Sequence, residues 1–247
     1  MIIGNLRRGR VIIEDASNAS TLRNKGYVGR NLGEKLSLNL ETSLDLMMRK
    51  KIKVSKGSRV LSVSQVEAMM SNEEKKRAIA YHFLRAKGLK PVIRNASFSA
   101  SGKKVIVFGD DEVIDFNAIN TRPFLLAIVD SEGSCLLYSV SMLRMGGRSR
   151  RGKEVDDANP RAESLQDMLR GKGMKVASGF KFGAEIRIYE GSSPHAKYLM
   201  NLGDKSIARD LVARVRIAQS VRKLFVQGVF DYRRKKFNFL EIRWIRL

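Results

Sequence analysis

Gly179-Phe-Lys-Phe-Gly-Ala-Glu-Ile-Arg-Ile-Tyr189 decides how this chain is read. It is a strand-rich, glycine-bounded stretch ending on a tyrosine, with His195 close behind it and a basic helix closing on Ser220-Val-Arg-Lys223 further on. The chain has only 2 histidines, and imidazole is the side chain whose ordinary pKa lets it give or take a proton near neutrality. A phenol, an imidazole and an ammonium together can move protons and neutralise a phosphorane without a metal, which is chemistry suited to RNA cleavage.

Working outward, Ala162–Lys175 reads as a helix and Ala196–Met200 as a strand, and Ile207 to Lys223 suits one helix of mixed charge. Leu224–Asp231 and Lys236–Arg246 read as two antiparallel strands around the turn Tyr232-Arg-Arg-Lys235. The carboxy-terminal half is therefore expected to be an α+β domain whose mixed or antiparallel sheet packs on helices. Toward the amino terminus, residues 1–15 read as a hairpin with Arg8-Gly9-Arg10 at its turn. A short helix over Thr21–Gly26, a helix at about 41–50, one to about Met70 opened by a Ser64-Gln-Val-Glu67 capping box, and one from about Glu73 to Lys87 follow. His82 sits on the last of these with no second proton-handling group beside it, so a packing or surface role is expected.

The two halves repeat. Leu84-Arg-Ala-Lys-Gly-Leu-Lys90 matches Leu169-Arg-Gly-Lys-Gly-Met-Lys175, and Phe124–Asp130 lines up with Phe225–Asp231. The organisation expected is an amino-terminal α+β domain over 1–92, a degenerate catalytic-type domain over 93–144, a linker over 145–163 and a catalytic domain over 164–247. Aligning the copies sets Arg122 opposite Lys223, and no histidine stands between Lys87 and Arg122, so the first copy is expected to be silent.

Charge narrows the partner. Lysine and arginine number 47 against 25 acids, a formal net charge of +22, which for a folded chain argues for a polyanion and favours nucleic acid. No apolar stretch reaches the length of a membrane-spanning helix and no signal peptide is visible, so no membrane partner and a cytoplasmic location are expected. The single Cys135 lies in an apolar strand-like run and reads as a core residue. A metal-dependent nuclease is disfavoured because Glu185 lacks companions at ligand spacing. The rival from another class is a non-catalytic basic RNA-binding protein or structural subunit.

With these residues in view, the chain resembles the archaeal tRNA-splicing (tRNA-intron) endonuclease family, in its fused two-repeat form. The resemblance rests on Lys25-Gly-Tyr-Val-Gly29 and the Leu-rich helix after it, Gly179–Tyr189, His195-Ala-Lys-Tyr-Leu199 and Arg216–Lys223. It implies Tyr189 as general base toward a ribose 2′-hydroxyl, His195 as proton donor to the departing 5′-oxygen, and Lys223 as the cation facing the phosphorane, with no cofactor and no metal. The substrate implied is precursor tRNA cut at bulge-helix-bulge borders, leaving 2′,3′-cyclic phosphate and 5′-hydroxyl ends. Because an ordinary phenol titrates at about 10, a cation is expected beside Tyr189, with Lys223 and the many arginines as candidates. The turn Glu190-Gly-Ser-Ser-Pro194 is shorter than in the family. Arg216 matches a base-stacking arginine, and Arg243 is taken as its partner. The family's homodimer implies a docking role for the acidic turn Asp130-Ser-Glu-Gly133, carried by Asp130 and Glu132, against the basic turn Asp231–Lys236.

Overall fold

The computed structural model describes residues 1–26, 29–94, 97–119, 123–145 and 162–246. Most of the 145–163 segment, Arg122, and Tyr27 and Val28 of the Lys25–Gly29 motif lie outside the described residues. The chain divides into two compact units, the first holding residues 1–109 and 127–135 and the second 110–126 and 136–246.

The first unit opens on the expected hairpin, β1 (Ile2–Arg7) and β2 (Arg10–Ile13), turning through Arg8 and Gly9 in left-handed conformations. Helix α1 spans Ala16–Asn24, starting earlier than the sequence suggested because the Asp15 carboxylate accepts the Asn18 N–H at 2.7 Å and caps it. Strands β3 (Arg30–Leu32) and β4 (Lys35–Leu38) lead to α2 (Leu40–Met48), then to β5 (Ile52–Lys56) and β6 (Arg59–Leu61). These six strands form a mixed sheet in the order β3-β4-β2-β1-β5-β6, with β1 and β5 parallel. Val11, Ile13, Leu36, Leu38 and Val54 of the sheet pack against Leu22 of α1 and Leu44 of α2 in one apolar core.

Two short-range caps set the next helices. The capping box of α3 (Val63–Glu67) is Ser62 with Gln65, not the expected Ser64 with Glu67. Helix α4 (Asn72–Ala86) is opened by Ser71 and Glu74, whose carboxylate the two Ser71 donors, backbone and hydroxyl, hold below the usual carboxylate range. His82 of α4 bonds through Nδ1 to Asp45 of α2 at 2.7 Å, and Arg49 holds the same buried carboxylate oxygen. His82 therefore joins two helices, a packing role. Strands β7 (Val92–Arg94), β8 (Ser97–Ala100) and β9 (Lys103–Gly109) follow as an antiparallel run.

The chain continues through β10 (Val113–Asp115), β11 (Phe124–Val129), buried at every position, and β12 (Cys135–Met142). Cys135 is buried, and desolvation pushes its thiol up to about 12. Helix α5 spans Ala162–Gly171 and stops short of the expected Lys175, which instead begins β13 (Lys175–Ser178). Phe180–Phe182 form a single 3-10 turn rather than strand, then come β14 (Ile186–Tyr189), β15 (Tyr198–Leu202) and β16 (Lys205–Ile207). Helix α6 (Ala208–Ser220) and the hairpin β17 (Leu224–Asp231) and β18 (Lys236–Trp244) complete the chain. In the second unit the strands run β13-β14-β15-β17-β18-β12, with β15 and β17 parallel, and β10 pairs with β16 separately. Leu165 and Leu169 of α5 pack on Ile186, Ile188, Tyr198, Met200 and Val226 on one face of this sheet. The architecture is mixed α+β, as the sequence implied.

The repeat extends to individual hydrogen bonds. After α4, Gly88 adopts φ 79° while its N–H reaches Arg85 O and that of Leu89 reaches Leu84 O. After α5, Gly173 adopts φ 76° with N–H to Arg170 O, and Met174 N–H reaches Leu169 O. Both are Schellman closures, which need a residue that accepts positive φ. In the hairpin turns, Asp130 Oδ1 accepts the N–H groups of Glu132 and Ser134, and Asp231 Oδ1 accepts those of Arg233 and Arg234.

Candidate active site

Strand pairing brings the three candidate catalytic residues to one edge of the second unit's sheet. Tyr189 is the last residue of β14, His195 lies three residues before β15, and Lys223 immediately precedes β17. Because β14 runs antiparallel to β15 and β15 parallel to β17, those three strand ends coincide. Backbone bonds tie the edge together, from Lys197 N–H to Ile188 O at 2.9 Å and from Leu224 N–H to Lys197 O at 3.0 Å.

Tyr189 is buried. Ile186 and Ile188 belong to the α5 face, so the strand alternation turns Arg187 and Tyr189 to the other one. The cation nearest its ring is Lys175, its cross-strand partner on β13, with the ammonium 5.2 Å from the ring centroid. Sequence reasoning looked to Lys223 and the arginines, and a lysine directly opposite on a paired strand was the signal that would have found Lys175.

His195 is exposed on the turn between β14 and β15. Its backbone is clamped by Ser193, whose hydroxyl donates to His195 O at 3.0 Å and accepts the His195 N–H at 3.3 Å. The turn is bridged by the Lys197 ammonium on the Glu190 carboxylate, and that hydrogen bond holds the lysine above its ordinary pKa. Arg144, Lys172, Met174, Glu190 and Tyr198 line a cleft of about 430 Å³ beside this turn.

Lys223 is placed by the end of α6. Its N–H reaches Ala218 O at 2.8 Å while Arg222, at φ 56°, takes the left-handed position that closes the helix. This Schellman closure normally uses glycine, and an arginine in it carries strain of about 1 kcal/mol. The Lys223 ammonium donates to Ala196 O at 3.0 Å, one residue from His195, and sits 5.9 Å from the centroid of the Phe182 ring. Lysine and histidine are thereby fastened to one segment.

The other candidates are spread more widely. The Arg216 guanidinium lies 5.7 Å from the centroid of the Trp244 ring. Arg243 is half-exposed on β18 and its Nε donates to Glu241 on the same strand, whereas Arg246 lies 4.8 Å over Trp244. Trp244 is thus flanked by two guanidiniums, one of which, Arg246, sequence reasoning did not single out. Glu185 accepts the Leu202 N–H at 3.1 Å and serves the sheet. Asp130 and Glu132 occupy the turn after β11, where the Asp130 carboxylate organises the backbone. Among the described residues, no helix is long and apolar enough to cross a membrane.

The definition of the tRNA intron endonuclease N-terminal domain matches residues 2–67, and that of the tRNA intron endonuclease catalytic C-terminal domain matches residues 163–237. A tRNA-splicing endonuclease of Picrophilus torridus is 24% identical, with 89% of each chain covered. Those of Thermococcus gammatolerans and Pyrococcus abyssi are 29% and 33% identical over 38% and 32% of this chain, and the matched segments span 58% and 47% of those proteins. The chain thus spans about half the length of these last two relatives. With both domain definitions matched in order and together covering more than half of the residues, this chain belongs to the tRNA intron endonuclease family.

Proposed function

We propose that the chain is an RNA endonuclease that cuts precursor tRNA at bulge-helix-bulge exon–intron borders without a metal. In this reading Tyr189 takes the proton of the 2′-hydroxyl, the 2′-oxygen attacks the adjacent phosphorus, and the P–O5′ bond breaks as His195 protonates the leaving oxygen. The products are a 2′,3′-cyclic phosphate and a 5′-hydroxyl. Lys223 faces the negative charge that builds on the phosphorane, and Lys175 supplies the positive field at the Tyr189 ring. The observation that carries the reading is the meeting of the three strand ends, with Lys223 fastened to the carbonyl next to His195.

The second copy is the active one in this proposal. Arg216, with Arg243 or Arg246, holds unpaired bases by stacking, and shape rather than sequence selects the substrate. Two chains pair through the acidic turn of Asp130 and Glu132, which docks on the basic turn of Arg233 and Arg234 in the partner. That basic turn lines a cleft of about 670 Å³ together with Asn117 and Asn238. Incubating the purified protein with intron-bearing precursor tRNA in EDTA tests the function directly. Cyclic phosphate ends that disappear in His195→Ala while RNA binding persists support it, and binding with no cleavage by the wild-type protein refutes it in favour of a non-catalytic RNA-binding protein.

A further inference from the structure

Phe180 stands out on the surface of the second unit. It is 88% exposed, the most exposed large apolar side chain among the described residues. Single exposed apolar residues are ordinary, but the surroundings of this one are not. It sits at the start of the 3-10 turn Phe180–Phe182, which backbone hydrogen bonds close. Gly179 N–H bonds Glu185 O at 3.1 Å, Phe182 N–H bonds Gly179 O at 2.8 Å, and Gly183 N–H bonds Phe180 O at 3.0 Å. The Phe180 N–H itself donates to Ser178 Oγ at 3.3 Å. A Cβ on Gly179 would lie 2.7 Å from Ala184 O, so the turn closes on itself through backbone contact. A largely hydrated ring is therefore presented on a hydrogen-bonded turn.

Cations surround that support. Lys181, Arg187 and Lys223 all lie within 6 Å of the ring centroid of Phe182, so the turn carries an exposed aromatic at its first residue and, at its last, a half-buried aromatic with three positive charges around it, the proposed phosphorane-facing lysine among them. Interleaved aromatics and cations are what a single-stranded nucleic acid recognises, bases on the π-faces and phosphates on the charges.

We infer that Phe180 is a stacking platform for an unpaired base flanking the scissile phosphodiester, with Lys181 and Arg187 on the adjoining phosphates. The inference rests on the nuclease reading and assigns it a substrate contact in addition to the arginines. Stacking on a ring costs little entropy here because the turn is already fixed, and every base has a π-face, so the contact is indifferent to sequence.

The test uses the full chain and a synthetic bulged RNA duplex, deoxy at the scissile nucleotide so that the nucleophile is missing and binding is measured without cleavage. 2-Aminopurine replaces each bulge base in turn, and the assay runs in EDTA. Phe180→Ala is expected to weaken binding by about 5- to 100-fold and to abolish quenching of the 2-aminopurine next to the scissile bond. Phe180→Trp is expected to restore binding to within about threefold of wild type, because tryptophan keeps the stacking face. Unchanged affinity and quenching in Phe180→Ala overturn the inference, as does a change of sedimentation coefficient with RNA binding intact, which would assign the ring to a contact between copies of the chain. If wild-type protein fails to cleave the all-ribose duplex, the nuclease reading falls, while the affinity and quenching still judge the platform by themselves.

Discussion

Replacing Lys223 by methionine separates the charge proposed to face the phosphorane from the fold. Methionine keeps the length and the apolar stem of lysine and removes only the ammonium, which in the folded protein donates to Ala196 O at 3.0 Å. A net hydrogen bond from a charged donor contributes about 1.5–3 kcal/mol. Lys223 is only half-buried, so the lower part of that range applies and the melting temperature is expected to fall by about 3–6 °C. The rate is expected to suffer far more. One ammonium N–H is committed to the carbonyl and the others remain to face the phosphate. Loss of one preorganised donor to a developing anion costs about 2.7–4 kcal/mol in the barrier, or roughly 100- to 1,000-fold in rate. Single-turnover cleavage of precursor tRNA in EDTA, with enzyme in excess and well below the melting temperature, reads the chemical step directly. A rate constant within about threefold of wild type in a folded Lys223→Met protein would refute the assignment of charge stabilisation to Lys223.

Three further outcomes follow from local geometry. Gly179→Ala sets a Cβ 2.7 Å from Ala184 O and 2.9 Å from its carbonyl carbon, backbone atoms that cannot rotate away, so it should destabilise by about 1–3 kcal/mol in a denaturant titration and slow cleavage by displacing Phe182 from Lys223. Arg222→Gly relieves the positive φ of 56° at the end of α6 and should raise stability by about 0.5–1 kcal/mol, measured by the same titration, with Lys223 still in place and cleavage retained. Burial raises the Cys135 thiol from 9.0 to about 12, so its stabilising contribution is complete below pH 9.0 and is lost as the pH climbs toward about 12. At pH 8 the thiol should accordingly resist alkylation in the native protein and react promptly once guanidinium unfolds it, a difference read by mass spectrometry.

What the sequence disclosed and what it withheld divide along physical lines. Hairpins and long strands were legible because alternation and turn residues state them locally, as in β1-β2 and β17-β18. The α5 boundary was legible in the sequence, since Gly173 repeats the closure made by Gly88, and the helix ends before it at Gly171. The cap of α3 was ambiguous because Ser62 with Gln65 and Ser64 with Glu67 fit one pattern; in the fold Ser62 Oγ accepts the Gln65 N–H and Gln65 Oε1 accepts the Ser62 N–H, which starts the helix at Val63. Glycines at 179 and 183 marked a boundary without saying that the residues between them curl into a turn. For the site, Tyr189, His195 and Lys223 lie far apart along the chain in two cases of three, and only strand order shows that they share an edge. Arg243 illustrates a finer limit. No motif in the sequence places a second base-stacking arginine, and nothing local in the chain says that Arg216 and Arg246 are the guanidiniums beside the Trp244 ring.

The repeat also determines how the proposed dimer must be tested. Asp130 and Asp231 do the same backbone work, each carboxylate accepting two N–H groups of its own hairpin turn, so the fold alone accounts for an aspartate at both positions. What differs between the copies is the next residues, Glu132 in one turn and Arg233 and Arg234 in the other. Reversing the charge of Asp130 would remove the acceptor as well as the charge and collapse the turn, so a lost dimer would carry no information about docking. Asparagine retains the Oδ1 acceptor, and Asp130→Asn with Glu132→Gln therefore removes two negative charges while leaving the turn closed. If the acidic turn docks on the partner's basic turn, this double variant keeps its melting temperature and its dimer dissociation constant at low salt rises by roughly tenfold or more in sedimentation equilibrium, with the difference shrinking as salt screens the contact. An unchanged dimer constant at low salt would show that the two turns carry opposite charge for some other reason, and that the interface lies elsewhere on the chain.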